Sequence, residues 1–108
     1  MSTTIIETIN PANGKVIAKY QNMTDDQIRE KVSNARLALQ GWKNLDIGER
    51  CSITRNLGRV MRKNKDAYAK LITEEMGKPI RQAIAEIEKC AWLCDYYSKL
   101  PRPFFVMN

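Results

Sequence analysis

The stretch that decides the fold is residues 73–97, TEEMGKPIRQAIAEIEKCAWLCDYY, where one helix ends and the most apolar helix of the chain begins. Gly77 suits the left-handed position that closes a helix, and Pro79 fits the first turn of the next one. Behind Pro79, apolar residues recur with helical spacing on one face, at Ile80, Ile84, Ile87, Ala91 and Cys94. Other apolar residues flank this face so broadly that we expect the helix to be buried on more than one side.

Two shorter helices are predicted upstream of this junction. Asp46 and Glu49 have the spacing of a capping box and open a helix. Asn64 interrupts the pattern, and the chain restarts near Asp66 as a further helix. The apolar face of the first contains Ile53, Leu57, Val60 and Met61, and that of the second contains Tyr68, Leu71, Ile72 and Met76. Whether Asn64 separates two helices decides between a count of three and a count of four.

The first predicted helix has the clearest amphipathic pattern. Thr24 is a suitable N-cap, and Asp25 and Asp26 follow it at the positive end of the helix dipole. Its apolar positions advance by four, three, four and three residues, through Ile28, Val32, Ala35, Leu39 and Trp42.

A β-hairpin is predicted before these helices. Residues 3–9 are rich in β-branched side chains, residues 10–14 (NPANG) favour a turn, and residues 16–20 form the second strand. A lone hairpin is barely stable in water and must pack on something. We therefore expect one small, mainly α domain over residues 1–108: a hairpin at 1–22, a helical region at 23–100 and a divergent tail at 101–108.

The net charge is +6, from 18 basic and 12 acidic residues, and it is spread along the chain. The densest basic group is Arg55, Arg59, Arg62 and Lys63, which share a helical face. Such a group binds phosphate or is a solvated helix face; the second interpretation is favoured because no aromatic residues are interleaved for base stacking. We expect no nucleic-acid partner. No apolar run approaches a membrane span and no secretory signal is recognisable, so we expect no membrane association and a cytoplasmic location.

The residues that usually carry catalysis are scarce. The chain has no histidine, the commonest general base and metal ligand, and none of its five glycines forms a phosphate-binding loop. Cys90 and Cys94 lie one helical turn apart, too far for a disulfide, and with Cys51 they are too few for a zinc site. We expect all three thiols to be reduced, buried and slow to react. The sequence itself predicts no catalytic residue, no metal ligand and no cofactor-binding residue.

Five segments nevertheless occur in an order that resembles a known family. They are residues 10–17 (NPANGKVI), 38–42 (ALQGW), 48–61 (GER, then LGRVM), 73–79 (TEEMGKP) and 86–97 (EIEKCAWLCDYY). Together, over about residues 8–98, they resemble the aldehyde dehydrogenase superfamily. The EMGKP and CDYY segments most resemble bacterial NAD(P)-dependent succinate-semialdehyde dehydrogenases, which oxidise a short acidic aldehyde.

This resemblance implies that the chain is part of the cofactor domain of an α/β enzyme that uses NAD or NADP. It also implies a mechanism in which a cysteine thiolate attacks the aldehyde, hydride passes to the cofactor, and a glutamate assists thioester hydrolysis. Those residues, with the cofactor-binding loops, lie downstream of the matched region. The resemblance therefore implies an N-terminal fragment that is inactive alone, and Cys51, Cys90 and Cys94 do not occupy the nucleophile position.

The resemblance also implies that the last helix runs close to the tunnel through which the aldehyde enters. Four of its residues would approach the tunnel mouth: Lys89, Cys90, Leu93 and Tyr97. The helical pattern alone favours plain packing for each of them.

The apolar surface of the chain predicts association. The hairpin and the last helix both need partners, and Phe104, Phe105 and Val106 add further apolar groups. We expect either a homo-oligomer or binding to the missing downstream dehydrogenase domains. An alternative function is that of a small helical protein that binds itself or another partner.

Overall fold

The computed structural model describes residues 4–99 and contains a hairpin followed by four helices. The strands are β1 (Ile5–Ile9) and β2 (Val16–Gln21), and the helices are α1 (Asp25–Asn44), α2 (Ile47–Lys63), α3 (Lys65–Met76) and α4 (Ile80–Lys99). This confirms the predicted mainly α fold with an N-terminal hairpin. The predictions for the tail at 101–108, including Phe104, Phe105 and Val106, lie outside the described residues.

The hairpin is antiparallel and closes over the predicted turn. Asn10 stabilises this turn twice, because its carbonyl accepts from the Gly14 N–H at 2.8 Å and its side chain accepts from the Ala12 N–H at 2.9 Å. Gly14 has a φ of +72°, a conformation that costs glycine little. A register shift between Thr8 and Ile9 adds one residue to β2. Local sequence therefore accounts for this element.

The helix ends follow the predicted caps, with one difference. Thr24 and Gln27 form a capping box at the start of α1, and Gly77 ends α3 in the left-handed conformation. Asp46 caps α2 by accepting from the Gly48 N–H at 3.1 Å, and no capping box with Glu49 is formed. Asn64 separates α2 from α3, which fixes the helix count at four.

The core is a layer in which α4 packs against α2 and α3. Its buried side chains are small: Cys51, Ala69, Ala83, Ala91 and Ser98. Gly58 is also buried, and a Cβ built there would lie 3.1 Å from the Cys94 Cβ and 3.2 Å from the Ala91 carbonyl oxygen. The absence of a side chain at residue 58 therefore lets α2 and α4 approach closely.

α1 does not join this layer, and every one of its twenty residues is exposed. The radius of gyration is 18.4 Å, whereas a compact domain of this length has about 13 Å. The hairpin meets the helices near Gly77, where an added Cβ would lie 3.2 Å from the Pro11 Cγ. Its apolar residues Ile5, Ile6 and Tyr20 remain half exposed or more.

The prediction that the last helix is buried on more than one side is wrong for the described chain. Ala83, Ala91 and Ser98 face the neighbouring helices, but Trp92 is 57% exposed and Tyr97 is 51% exposed. The reason is that α2 and α3 cover one side of α4, whereas the other described elements pack against it weakly at most. Within residues 4–99, no helix has the length and hydropathy needed to cross a membrane.

Candidate functional site

The four residues expected near a substrate tunnel lie together on the open face of α4. Lys89, Cys90, Leu93 and Tyr97 fall within about a third of the helix circumference at 100° per residue. All four are exposed. They lie to one side of the buried line formed by Ala83, Ala91 and Ser98. The structure thus brings the four residues onto one surface, while their role in a tunnel stays a prediction.

Tyr97 of this group lines a cavity. The cavity holds about 180 Å³ and is bounded by Trp42, Ile47, Arg50, Cys51, Thr54 and Tyr97. Arg50 is half-buried, and its Nε has no hydrogen-bond partner among the described residues. The Thr54 hydroxyl donates to the Arg50 carbonyl at 3.2 Å. The described lining contains a thiol, a hydroxyl and a guanidinium, but no carboxylate or imidazole that could act as a base toward the thiol.

The cysteines differ from one another, which corrects the prediction that all three are buried. Cys51 is 7% exposed, Cys94 is half-buried and Cys90 is exposed, and all are free thiols. Cys90 is exposed because it lies on the open side of α4, whereas Cys94 faces Gly58 across the α2–α4 contact. Within residues 4–99, no group of three or more potential metal-ligating residues comes together.

The basic face of α2 is partly used to hold α4. The Arg55 Nη2 donates to the Ser98 carbonyl at 3.2 Å, and Arg62 forms a hydrogen-bonded ion pair with Asp95. The hydrogen bond from Arg62 lowers the pKa of Asp95 from its ordinary value of 3.8, although partial desolvation opposes this shift. The same bond raises the pKa of Arg62. Arg55 and Arg62, which were predicted to lie on a solvated face of α2, therefore contact α4.

Two carboxylates of α4 pair with lysines. The Lys65 Nζ lies 3.0 Å from the Glu88 Oε1, and Lys78 pairs with Glu86. Both glutamates remain about half exposed. They point to different partners, so they do not form an acid–base pair.

The residues between β2 and α1 do not fit the phosphates of a dinucleotide. An open pocket of about 540 Å³ lies there, with Thr24, Gln27 and Glu30 among its lining residues. A strand followed by a helix N-terminus can bind phosphate when glycines expose the backbone amides. Here the Thr24 side chain accepts from the Gln27 N–H, and Asp25 and Asp26 supply negative charge. The Gln27 amide at this helix start is therefore already capped, and no glycine lines the pocket to expose other amides to a phosphate.

Sequence reasoning missed four of the residues that line the cavity: Trp42, Ile47, Arg50 and Thr54. Trp42 was assigned to the apolar stripe of the first helix, and Arg50 was assigned to a family motif. No rule of helical or strand spacing connects either residue with Tyr97. The Arg62–Asp95 pair was missed for the same reason, since its members are 33 residues apart. Composition offered no signal for these contacts.

Comparison with known proteins places this arrangement in context. The family model described as "Aldehyde dehydrogenase family" matches residues 1–104. The NAD(P)+-dependent succinate semialdehyde dehydrogenase Sad of Escherichia coli (strain K12) is 36% identical over 92 residues. These are 85% of this chain and 20% of that protein. A probable NADP+-dependent succinate-semialdehyde dehydrogenase of Synechocystis sp. is 34% identical over 93 residues, which are 86% of this chain and 20% of that protein.

The solved structures agree with the sequence relatives. The succinic semialdehyde dehydrogenase of Streptococcus pyogenes, in complex with NADP+, superposes with a TM-score of 0.84 at 30% identity, covering 94% of this chain and 22% of that one. The structure matches part of an N-terminal domain, and the chain spans about a fifth of the length of the relatives it matches. On the family match, the identities and the shared fold, the chain belongs to the aldehyde dehydrogenase family.

Proposed function

We propose that the chain is the N-terminal part of an NAD(P)-dependent succinate-semialdehyde dehydrogenase. The observation that carries this proposal is the 36% identity to the first fifth of the Escherichia coli enzyme, together with similar identity to the Synechocystis protein of the same kind. The assignment to this subfamily was prompted by residues 75–79, which join α3 to α4, and by residues 94–97, which lie near the end of α4.

We further propose that the chain has no dehydrogenase activity by itself. The resemblance puts the nucleophilic cysteine, the glutamate base and the cofactor loops downstream of the matched segments. Cys51 and Cys94 support this assignment, because each packs between helices where an aldehyde has little access. Cys90 is accessible, but no described base is paired with it. NAD or NADP would be bound by the rest of such an enzyme.

In this proposal the segment acts as a scaffold. α2, α3 and α4 form a preassembled layer, while α1, the hairpin and the open side of α4 present apolar residues to the downstream domains. Lys89, Cys90, Leu93 and Tyr97 would then lie at the edge of the substrate tunnel. The free thiols suit a reducing compartment, and we propose the cytoplasm.

The test is complementation. The purified chain is assayed for NAD+ and NADP+ reduction with succinate semialdehyde, and then again after coexpression with the remaining region of the Escherichia coli relative. We expect no turnover alone and turnover with both parts. Butanal, which has the same number of carbons but no carboxylate, serves as the matched substrate and should react more slowly.

A cysteine-free variant provides the control. Replacing Cys51, Cys90 and Cys94 together with alanine should leave the complemented activity in place, because the nucleophile comes from the other part. Turnover by the chain alone, or loss of complemented activity in a variant that still folds and binds the other part, would contradict the proposal.

Binding of nucleic acid is a second possible function that the geometry disfavours. The guanidinium groups of Arg55 and Arg62 bond to α4, so they are not available to bind the phosphates of a nucleic acid. Binding to DNA or RNA that weakens steeply with salt would restore this function.

A further inference from the structure

The cavity at the ends of three helices contains an arginine side chain that has no bonding partner among residues 4–99. The cavity holds about 180 Å³ between the last turn of α1, the first turns of α2 and the last turn of α4. Its lining includes the rings of Trp42 and Tyr97. Arg50 is half-buried in this lining and forms no ion pair with a described residue. Its Nε is shielded from solvent and has no hydrogen-bond acceptor there.

Two acceptors that could have served Arg50 bind other donors. The Asp46 carboxylate, which precedes Arg50 by four residues, accepts from the Gly48 N–H at 3.1 Å. At the end of α4, the Ser98 carbonyl accepts from Arg55 at 3.2 Å. The described residues therefore leave the charge of Arg50 without a counter-ion.

The position of Arg50 in α2 increases its need for an anion. It lies in the first turn of α2, where the helix dipole disfavours a positive charge. Partial burial beside aromatic rings removes water from the guanidinium, and an unpaired charge held in this way is costly. The planar N–H donors of a guanidinium match the two oxygens of a carboxylate. A carboxylate would satisfy both the charge and the donors, whereas a neutral carbonyl would satisfy only the donors.

The size and position of the cavity indicate the source of this carboxylate. Pockets for free ligands usually hold about 300–1,000 Å³, so a cavity of about 180 Å³ suits one side chain better than a separate molecule. α4 ends at Lys99, two residues beyond Tyr97, so the region that follows α4 in a dehydrogenase begins beside the cavity. The chain covers 20% of the Escherichia coli relative, and the remaining region of such an enzyme can supply the side chain.

We propose that Arg50 binds the carboxylate of an aspartate or glutamate from the downstream region of the dehydrogenase. That side chain enters the cavity beside Trp42 and Tyr97 and forms a salt bridge with the guanidinium. The salt bridge adds a charged contact to the apolar surfaces of the hairpin, α1 and α4. It requires the downstream region as a partner, so it rests on the proposed function.

Arginine variants of the complex coexpressed with the downstream region of the Escherichia coli relative test this salt bridge. With the chain immobilised, Arg50→Met should raise the dissociation rate at least about tenfold, because a partly buried charge loses its partner. Arg50→Gln keeps N–H donors without the charge and should behave like Arg50→Met, whereas Arg50→Lys keeps the charge and should have a smaller effect.

Arg59 is the matched control for these variants. It is exposed and lies nine residues further along α2, on the opposite face of the helix. Arg59→Met should leave the dissociation rate unchanged, and circular dichroism should show equal helix content in all variants.

A zero-length crosslink identifies the partner of Arg50. In the complex that carries Arg50→Lys, a water-soluble carbodiimide joins the introduced amine to a carboxylate within reach. Mass spectrometry of the digested product then locates the amide. We expect a link from residue 50 to an aspartate or glutamate of the downstream region, and no such link from residue 59 in Arg59→Lys.

The possible outcomes separate this salt bridge from the proposed function. A wild-type complex that is active, with equal dissociation rates for the wild type and Arg50→Met, overturns the salt bridge alone. Wild-type behaviour of Arg50→Gln assigns a neutral acceptor and overturns it too, as does a crosslink from residue 50 to this chain or to a second copy of it. A wild-type chain that forms no complex with the downstream region overturns both the salt bridge and the proposed function.

Discussion

α1 and α2 are both amphipathic, yet α2 is packed within the chain and α1 is not. The contact of α2 with α4 depends on residues without bulk, Gly58 facing Ala91 and Cys94. The larger apolar side chains are exposed on both helices, Leu57 on α2 as well as Val32 and Leu39 on α1, and α1 has no buried residue at all. The difference teaches that an apolar stripe indicates the need for a partner, while close approach between particular helices depends on where the small residues lie.

The largest effect should come from filling the α2–α4 contact. Gly58→Leu places a side chain where the Cβ alone would lie 3.1 Å from the Cys94 Cβ and 3.2 Å from a backbone oxygen. Overpacking of this kind costs about 1–3 kcal/mol or more, a large share of the stability of a small domain. We expect most of the cooperative thermal transition to be lost, as measured by circular dichroism.

Gly41→Leu is the matched control on α1. No atom lies within 4 Å of a Cβ at residue 41, so the substitution should add helix propensity and stabilise the chain by up to about 1 kcal/mol. Equal destabilisation by the two substitutions would show that α1 is packed as tightly as α2.

Thiol reactivity should rank the cysteines by their position relative to this contact. Cys90 should react quickly with a maleimide, Cys94 more slowly, and Cys51 slowest, because buried thiols must wait for local opening. We expect Cys90 to react at least about tenfold faster than Cys51, which corresponds to roughly 1.4 kcal/mol of opening free energy. Mass spectrometry of timed samples measures the order, and urea should equalise the rates. Faster labelling of Cys51 than of Cys90 would contradict the packing of α2 on α4.

The smallest expected effect is on the decline of folding stability at acidic pH. The pKa of Asp95 is lowered in the folded chain, so its pairing with Arg62 contributes stability that is fully present above the unfolded value near 3.8. This contribution is lost as the pH falls through the lower, folded pKa. Asp95→Asn and Arg62→Gln should each lower the Tm slightly at neutral pH and flatten its decline in acid. A variant with the same acid slope as the wild type would show that the pair is not coupled to folding.

The local elements could be predicted well from sequence. Thr24, Asn64 and Gly77 set the helix boundaries, and the Asn10–Gly14 turn set the hairpin, because each signal acts within a few residues. The candidate site at Lys89, Cys90, Leu93 and Tyr97 rests on family resemblance alone, and its role at a tunnel stays a prediction. The cavity that Tyr97 shares with Trp42 and Arg50 was not predictable, since it joins three elements distant in sequence.

By itself, the sequence determined the hairpin, the apolar stripes and the family. Local hydrogen bonding and helical periodicity are properties of neighbouring residues, so they need no knowledge of the rest of the chain. Only the tertiary structure decided which stripes are covered: α4 is buried on one side, Cys90 is exposed, and α1 stands apart. The physical reason is that burial depends on which surfaces meet, and the residues that make α2 and α4 meet, Gly58 and Ala91, are 33 positions apart in the chain.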